Sequence, residues 1–529
     1  MLFLRNATII DGTGNSPYVG SILVRDRNIA AIGSFEEPSG AQTVDLHGLV
    51  AAPGFVDLHS HSDLKLQENR REKLNQGVTT EVVGNCGFSP FPSGPYQAML
   101  SEQNDGILNG KETWPNAAAY LTALNASCTV AHPEVLIGHG SLRTAVCGAH
   151  TGPATEDQID RMEAMLDEAL TQGACGFSTG LMYAPGSAAT EQELLRLCRV
   201  VARHGKLYTT HMRSYSWLLN EAIDEQINLA RQAQCRLQIS HLQAVGQRNW
   251  QKQDSALRQI EVARGEGIDV AFDSYPYLAG STVMTQLLPQ SSLDEGTEGL
   301  LRRLQMASER NELEAYLKSE TAQRWSDIFI SSLGSTANQA LVGKSLLEIA
   351  TERGSTPESA LLDLLLEEKT KVNIVAFNQS EENLRQLLTH PLCSIISDGF
   401  YVKDRPHPRL YGTFPLLLGE ICREKQWLTL PEAIHKITAA PARRIGLNKR
   451  GQLMQGYFAD ITVFDPDTIG TSASYQNPTI SPQGIELVLL EGRLIAGSFD
   501  SFKNPSTVRR SNTKNELTFA SIGQPRYGD

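Results

Sequence analysis

Hydrophobic and polar positions change rhythm along this chain. Up to about residue 50, short apolar runs alternate with Gly, Asn and Asp: Leu2–Phe3–Leu4, Ala7–Thr8–Ile9–Ile10, Ser21–Ile22–Leu23–Val24 and Ile29–Ala30–Ala31–Ile32. Such runs, punctuated by turn formers, predict short strands. The same texture returns at 460–464, 485–490 and 493–495. Neither end carries enough strands to close a core alone, so the two ends are expected to join into one discontinuous β-sandwich. Between them, β-rich runs alternate with amphipathic stretches such as 156–172 and 191–204, the pattern of βαβ units around a parallel sheet. The candidate strands are 54–59, 78–84, 134–139, 173–178, 207–211, 236–241, 268–273 and 393–398. Eight is the number a (β/α)₈ barrel needs.

The gap before the eighth strand is too long for one crossover helix. It holds charged helical text at 300–318 and β-like runs at 328–330 and 372–375. The expected organisation is therefore 1–52 as the N-terminal part of the sandwich and 53–282 with 346–445 as the barrel. Residues 283–345 form an insertion or lid, 446–499 the C-terminal part of the sandwich, and 500–529 a polar tail.

Composition changes this picture little. With 529 residues, 41% apolar and 20% charged, the chain has the balance of a multidomain globular protein. A net charge of −12 and the lack of a Lys/Arg run exclude a nucleic-acid surface. No stretch is long and apolar enough to span a membrane. Arg5 and Asn6 interrupt the start where a secretory signal would need an apolar core, and eight cysteines are too sparse for a disulfide scaffold. A cytoplasmic location is expected.

The candidate chemistry follows from where the ligand-type residues fall. His59, His61, Cys86, His211, His241 and Asp398 stand at, or just after, the C-terminal ends of expected strands, the face where such barrels build their sites. In His59–Ser60–His61, residues i and i+2 of an extended chain share one side; two loop histidines would be the bland explanation. Cys86, flanked by Gly84 and Gly87, reads as a thiolate ligand or as a small buried hydrophobe. Histidines ending two neighbouring strands, 211 and 241, are hard to explain by packing. Cys86, His211 and His241 would leave a fourth position open, the catalytic form of a zinc site. Asp398–Gly399 is either a turn pair or a general base that takes a proton from water and returns it to a leaving nitrogen. His139 also ends a strand and is the nearest residue left out of the metal set.

These residues sit in text that resembles the amidohydrolase superfamily, and within it the N-acyl-D-amino-acid deacylase (D-aminoacylase) family. The matching stretches are Pro53–Gly54–Phe55–Val56–Asp57–Leu58–His59–Ser60–His61–Ser62–Asp63, Gly84–Asn85–Cys86–Gly87–Phe88–Ser89 and Gly176–Phe177–Ser178–Thr179–Gly180–Leu181 with Tyr183 and Pro185. Further ones are Asp273–Ser274–Tyr275–Pro276–Tyr277 with Ala279–Gly280–Ser281–Thr282, Ser397–Asp398–Gly399, and Pro406–His407–Pro408–Arg409 with Tyr411–Gly412–Thr413–Phe414–Pro415. The resemblance implies a tight Zn²⁺ on Cys86, His211 and His241, and a second, weaker position using His59, His61 and Cys86. It implies Asp398 as the catalytic base and a small N-acylated molecule as substrate. Many superfamily members bridge two metals with a carboxylated Lys after the fourth strand; here that strand leads into Gly176–Phe177–Ser178–Thr179, which leaves the bridge to Cys86. A family Lys two residues after the second zinc His is replaced by Gln243. Arg409, with Tyr275 and Ser281, is expected to hold the substrate carboxylate, because an Arg fork suits that planar group. The reaction expected is deacylation of N-acyl-D-amino acids. Cyclic-amide hydrolysis of the hydantoinase or dihydroorotase type and a non-catalytic scaffold are the other readings.

Overall fold

The structure, a computed structural model, describes residues 1–68, 70–94, 112–148, 150, 152–293 and 295–502. Eight parallel strands form the barrel: β1 (Phe55–Asp57), β2 (Val78–Val83), β3 (His132–Gly138), β4 (Gly176–Gly180), β5 (Leu207–His211), β6 (Arg236–Ile239), β7 (Val270–Ser274) and β8 (Cys393–Ile395). They pair in chain order, each parallel to the next. β2, β4, β5 and β7 are buried along their whole length, as strands covered on both faces must be. Every strand expected in the barrel is found there.

Helices on the outside begin where side chains cap them. Glu156–Thr171 starts behind Thr155, whose hydroxyl accepts from the Gln158 N–H while the Gln158 side chain returns to the Thr155 N–H. Glu191–Arg203 starts behind Thr190 in the same way on the hydroxyl side. Each cap satisfies donors that the first helical turn leaves open. Closure of the barrel comes last along the chain. Beyond β1 and β8 the Asp398 N–H donates to His59 O (2.9 Å) and the His61 N–H to Gly399 O (3.0 Å), with Ser60 and Gly399 in parallel register.

Both chain ends build one eight-stranded sheet. Leu2–Ile9, Tyr18–Arg25, Asn28–Gly33, Gln42–Asp45 and Val50–Pro53 join Ile461–Phe464, Ile485–Leu490 and Arg493–Gly497. The junction is antiparallel, with Ile461 opposite Pro53 and Phe464 opposite Val50. Leu2–Ile9 divides its pairing between Gln42–Asp45 and Val50–Ala51. The tail beyond 502 lies outside the described residues. No described helix is long and apolar enough to cross a membrane.

The insertion has its own sheet, in the order Ala279–Val283, Val372–Phe377, Ile328–Leu333, and its own apolar core running from Met284 to Ala376. It therefore extends past the range 283–345 on both sides. Val372–Phe377 is the middle strand of this sheet, antiparallel to both neighbours. The helices Leu346–Arg353 and Pro357–Glu367 pack into the same core, so the chain returns to the barrel only with the helix Glu381–Thr389 and β8.

Candidate metal centre and active site

The ends of β1, β2, β5, β6 and β8 bring six side chains to one point at the C-terminal mouth of the barrel. His59, His61, Cys86, His211, His241 and Asp398 are all buried. Donor atoms of His59, Cys86 and His241 lie within 4.8 Å of one another, as do those of His59, His61 and Asp398. Cys86 Sγ is 3.3 Å from His59 Nε2 and 3.6 Å from His241 Nε2. Asp398 Oδ1 is 3.4 Å from His59 Nε2 and 3.3 Å from His61 Nε2. His211 stands beside this set: its ring centroid is 4.6 Å from that of His241, and its Nε2 is 3.4 Å from the Met182 sulfur. His59 belongs to both groupings, so the two are adjacent.

Backbone geometry at the cluster is unusual. Cys86, His241 and Asp398 all have positive φ, at 53°, 37° and 47°. A non-glycine residue in this region is sterically disfavoured and persists where its surroundings over-determine it, often at functional sites. Glycines make the turn around Cys86 possible. A Cβ on Gly180 would come within 2.0 Å of Cys86 O, and one on Gly84 within 2.1 Å of Leu136 O. The end of β4, where a bridging lysine would have to stand, is thus filled by the Cys86 main chain.

Burial disfavours the Cys86 thiolate, but His59, His211 and His241 outweigh it and hold its pKa well below the ordinary thiol value. Burial and the neighbouring His241 push His211 down to about 4, which keeps it a neutral donor. For Asp398, burial is again opposed, here by Arg409, His59 and His61, and the carboxyl lies well below its usual range. The donor set fits a cation. A thiolate, a carboxylate and the Nε2 atoms of His59, His61 and His241 converge on one another with no proton-donating side chain between them among the described residues, a donor set suited to a transition-metal cation.

Beneath the cluster, buried charges lock the strand ends. Glu81 Oε2 accepts from Ser60 Oγ (2.9 Å) and Ser62 Oγ (2.8 Å), the residues on either side of His61, and Glu81 pairs with Arg70. Lys73 Nζ reaches Asp57 Oδ2 (2.8 Å) and Ser397 Oγ (2.9 Å), tying β1 to the segment that carries Asp398. Asp273, at the end of β7, accepts from the His241 N–H (2.7 Å) and faces His59 Nδ1 at 3.6 Å. Tyr215 packs its ring 5.1 Å from both His211 and His241, and Tyr183 lies 4.6 Å from His211. Sequence reasoning assigned none of these supports a role at the site. Asp273 carried the same strand-end signal as the ligands, whereas Met182 and Tyr215 carried none. His139 stands apart, bonded to Glu193 at 2.7 Å beside Arg143.

A cavity of about 210 Å³ opens above the cluster. Arg409, Tyr275, Ser281 and Gln243 all line it. Arg409 Nη1 is ion-paired with Asp398 Oδ2 at 2.9 Å, its guanidinium lies 4.6 Å over the Tyr275 ring, and its buried Nε lacks a hydrogen-bond partner. Tyr275 donates to Gln243 Oε1 (3.3 Å). Ser281 Oγ is buried and unpaired.

A parallel barrel with a histidine–cysteine–aspartate cluster at its C-terminal mouth defines a hydrolase of the amidohydrolase type. Residues 42–325 and 346–496 match the amidohydrolase family, and the chain belongs to it; such enzymes hydrolyse carbon–nitrogen bonds other than peptide bonds. Over 93% of its length the chain is 34% identical to a D-aminoacylase and 35% identical to an N-acyl-D-glutamate deacylase, both from Alcaligenes xylosoxydans xylosoxydans, with 93% and 92% of those proteins covered. Its fold is similar to that of N-acyl-D-glutamate deacylase from Bordetella bronchiseptica in complex with zinc and a phosphonate inhibitor, a mimic of the tetrahedral intermediate. That likeness has a TM-score of 0.79 and 32% identity over 93% of this chain and 96% of the other.

Proposed function

We propose that the protein is a zinc-dependent deacylase of N-acyl-D-amino acids, releasing a carboxylate and a free D-amino acid. One observation carries the reading: Asp398 touches the cation cluster through His59 and His61 and touches Arg409 on its other side. The proton-transfer group and the carboxylate-binding group are thus in direct contact, and both line the cavity above the cluster. The relatives named above, two of them deacylases of N-acyl-D-glutamate, support the same reading.

Cys86, His241 and His211 would hold the tight zinc, with His59, His61 and Cys86 serving a second, weaker position beside it. Zinc bound there supplies polarisation of the amide carbonyl and a more acidic water. The remaining work belongs to the chain. Asp398 Oδ1 accepts the proton of the water as its oxygen adds to the carbonyl carbon, then delivers that proton to the amide nitrogen as the C–N bond breaks. Arg409 donates to the substrate α-carboxylate through its Nε–H, which has no partner in the protein. Tyr275 supports the guanidinium plane and, by holding Gln243 Oε1, leaves the Gln243 amide N–H groups free for the same carboxylate.

The test is amine release from paired N-acetyl-D- and N-acetyl-L-amino acids, with zinc per chain measured on the same sample. D-selective release with about one tight zinc per chain is expected. Zinc-loaded protein that hydrolyses hydantoins or dihydropyrimidines but no linear N-acyl amino acid would refute the proposal.

A further inference from the structure

Similarity does not separate substrates with neutral side chains from those with acidic ones, because the chain is as close to a D-aminoacylase as to an N-acyl-D-glutamate deacylase. The charge inventory of the cavity does. We infer that this site selects N-acyl-D-amino acids whose side chain is uncharged and apolar; the inference rests on the deacylase reading.

An N-acyl-D-glutamate or -aspartate brings two carboxylates into the cavity, and each needs a cation or several donors to replace its water. Among the described residues that line the cavity, Arg409 is the only Lys or Arg. Its Nη1 is already paired with Asp398 at 2.9 Å, and its unpaired Nε leaves capacity for one further carboxylate. Two neighbouring cations are engaged elsewhere. Arg213 donates to Glu225 and to the carbonyls of Ser187 and Ala189. Lys252 donates to the carbonyls of Ser216 and Trp217. The lining also includes Glu320, which adds negative charge.

Much of the remaining lining is apolar. Val283, Leu287, Tyr316 and Ile374 from the insertion and Trp217 and Val245 from the barrel loops face the cavity. The Trp217 indole N–H donates to Glu320 O (2.9 Å) and fastens the two parts of this wall together. Such a wall recovers hydrophobic transfer energy from a Leu, Met or Phe side chain. Against a second carboxylate it offers only desolvation.

The experiment compares kcat/KM of the zinc-loaded enzyme for the N-acetyl derivatives of D-leucine, D-methionine, D-phenylalanine, D-glutamate and D-aspartate. The best apolar substrate should exceed both acidic ones by at least about 100-fold, which corresponds to about 2.7 kcal/mol. A second arm uses Gln286→Arg. Gln286 lines the cavity and its side chain makes no hydrogen bond among the described residues, so the change adds a cation without breaking a hydrogen bond. It should raise kcat/KM for N-acetyl-D-glutamate by at least about tenfold. D-glutamate or D-aspartate derivatives turned over within tenfold of the best apolar substrate would overturn the inference and leave the deacylase reading standing. No rise in Gln286→Arg would overturn the missing cation as its cause. Failure on every N-acetyl-D-amino acid with zinc bound would remove the deacylase reading, and this inference with it.

Discussion

Replacing Asp398 by Asn tests the core of the mechanism. The substitution preserves shape, and Asn tolerates the left-handed φ of 47° at this position, so no strain is added. What changes is charge and basicity. Both proton transfers are assigned to this one group, which places the loss at the upper end of the range for general acid–base catalysis, about 10³–10⁴ in kcat, or about 4–5.5 kcal/mol of transition-state stabilisation. KM should hold or fall, because Arg409, 2.9 Å away, loses its internal carboxylate and competes better for the substrate's. Stability should fall by about 3 kcal/mol, the lower range for breaking a buried ion pair, since Asn still offers an acceptor to the guanidinium. The assay is steady-state kinetics on the best N-acetyl-D-amino acid, with zinc content and urea unfolding on the same preparation. A kcat within tenfold of wild type would refute Asp398 as the base. Loss of zinc together with activity would reassign it as a metal ligand, a role its 3.3 and 3.4 Å distances to His61 and His59 also permit.

Three further predictions address the scaffold. Gly180→Ala places a Cβ within 2.0 Å of Cys86 O, so the Cys86 turn must move; zinc affinity should drop at least about tenfold, the size of effect seen when supports of a metal site are lost, and an unchanged zinc titration would refute the claim. Glu81→Gln leaves Arg70 buried without its anion and weakens the acceptor for Ser60 and Ser62; urea unfolding should show a loss of about 3–5 kcal/mol, and a loss under about 1 kcal/mol would contradict the assigned role. Asp269 sits among Arg444, Arg236 and Arg264. Burial raises its pKa, but these cations, Arg444 first, bring it down to about 2 from an ordinary 3.8. A carboxyl depressed in the folded state binds protons more readily when unfolded, so its contribution is complete above about pH 4 and is lost as pH falls toward about 2. With 38% of the side chain exposed, screening reduces that contribution to about 1 kcal/mol. Asp269→Asn should flatten the stability–pH curve across that window, and an equal slope in both proteins would count against it.

The local text of the chain determined which segments are strands and which residues stand at their ends. Short β-rich runs mark β2, β5, β6 and β7, and His59, His211 and His241 stand at or just after strand ends in the sequence as they do in space. Local patterns are a property of neighbours along the chain, so they can be read without the fold. They could not place Val372–Phe377, whose apolar run looks like a barrel strand; only its antiparallel pairing with Ala279–Val283 and Ile328–Leu333 assigns it to the insertion. Nor could they decide which ligands meet. The resemblance put His211 with Cys86 and His241; pairing of β1 with β2 also carries His59 against Cys86, and closure of β8 onto β1 carries Asp398 against His61. The left-handed backbone at Cys86, His241 and Asp398 and the buried braces from Glu81, Lys73 and Asp273 were equally hidden. Each depends on residues from strands far apart in sequence, and distances across a barrel are set only when the last strand closes it.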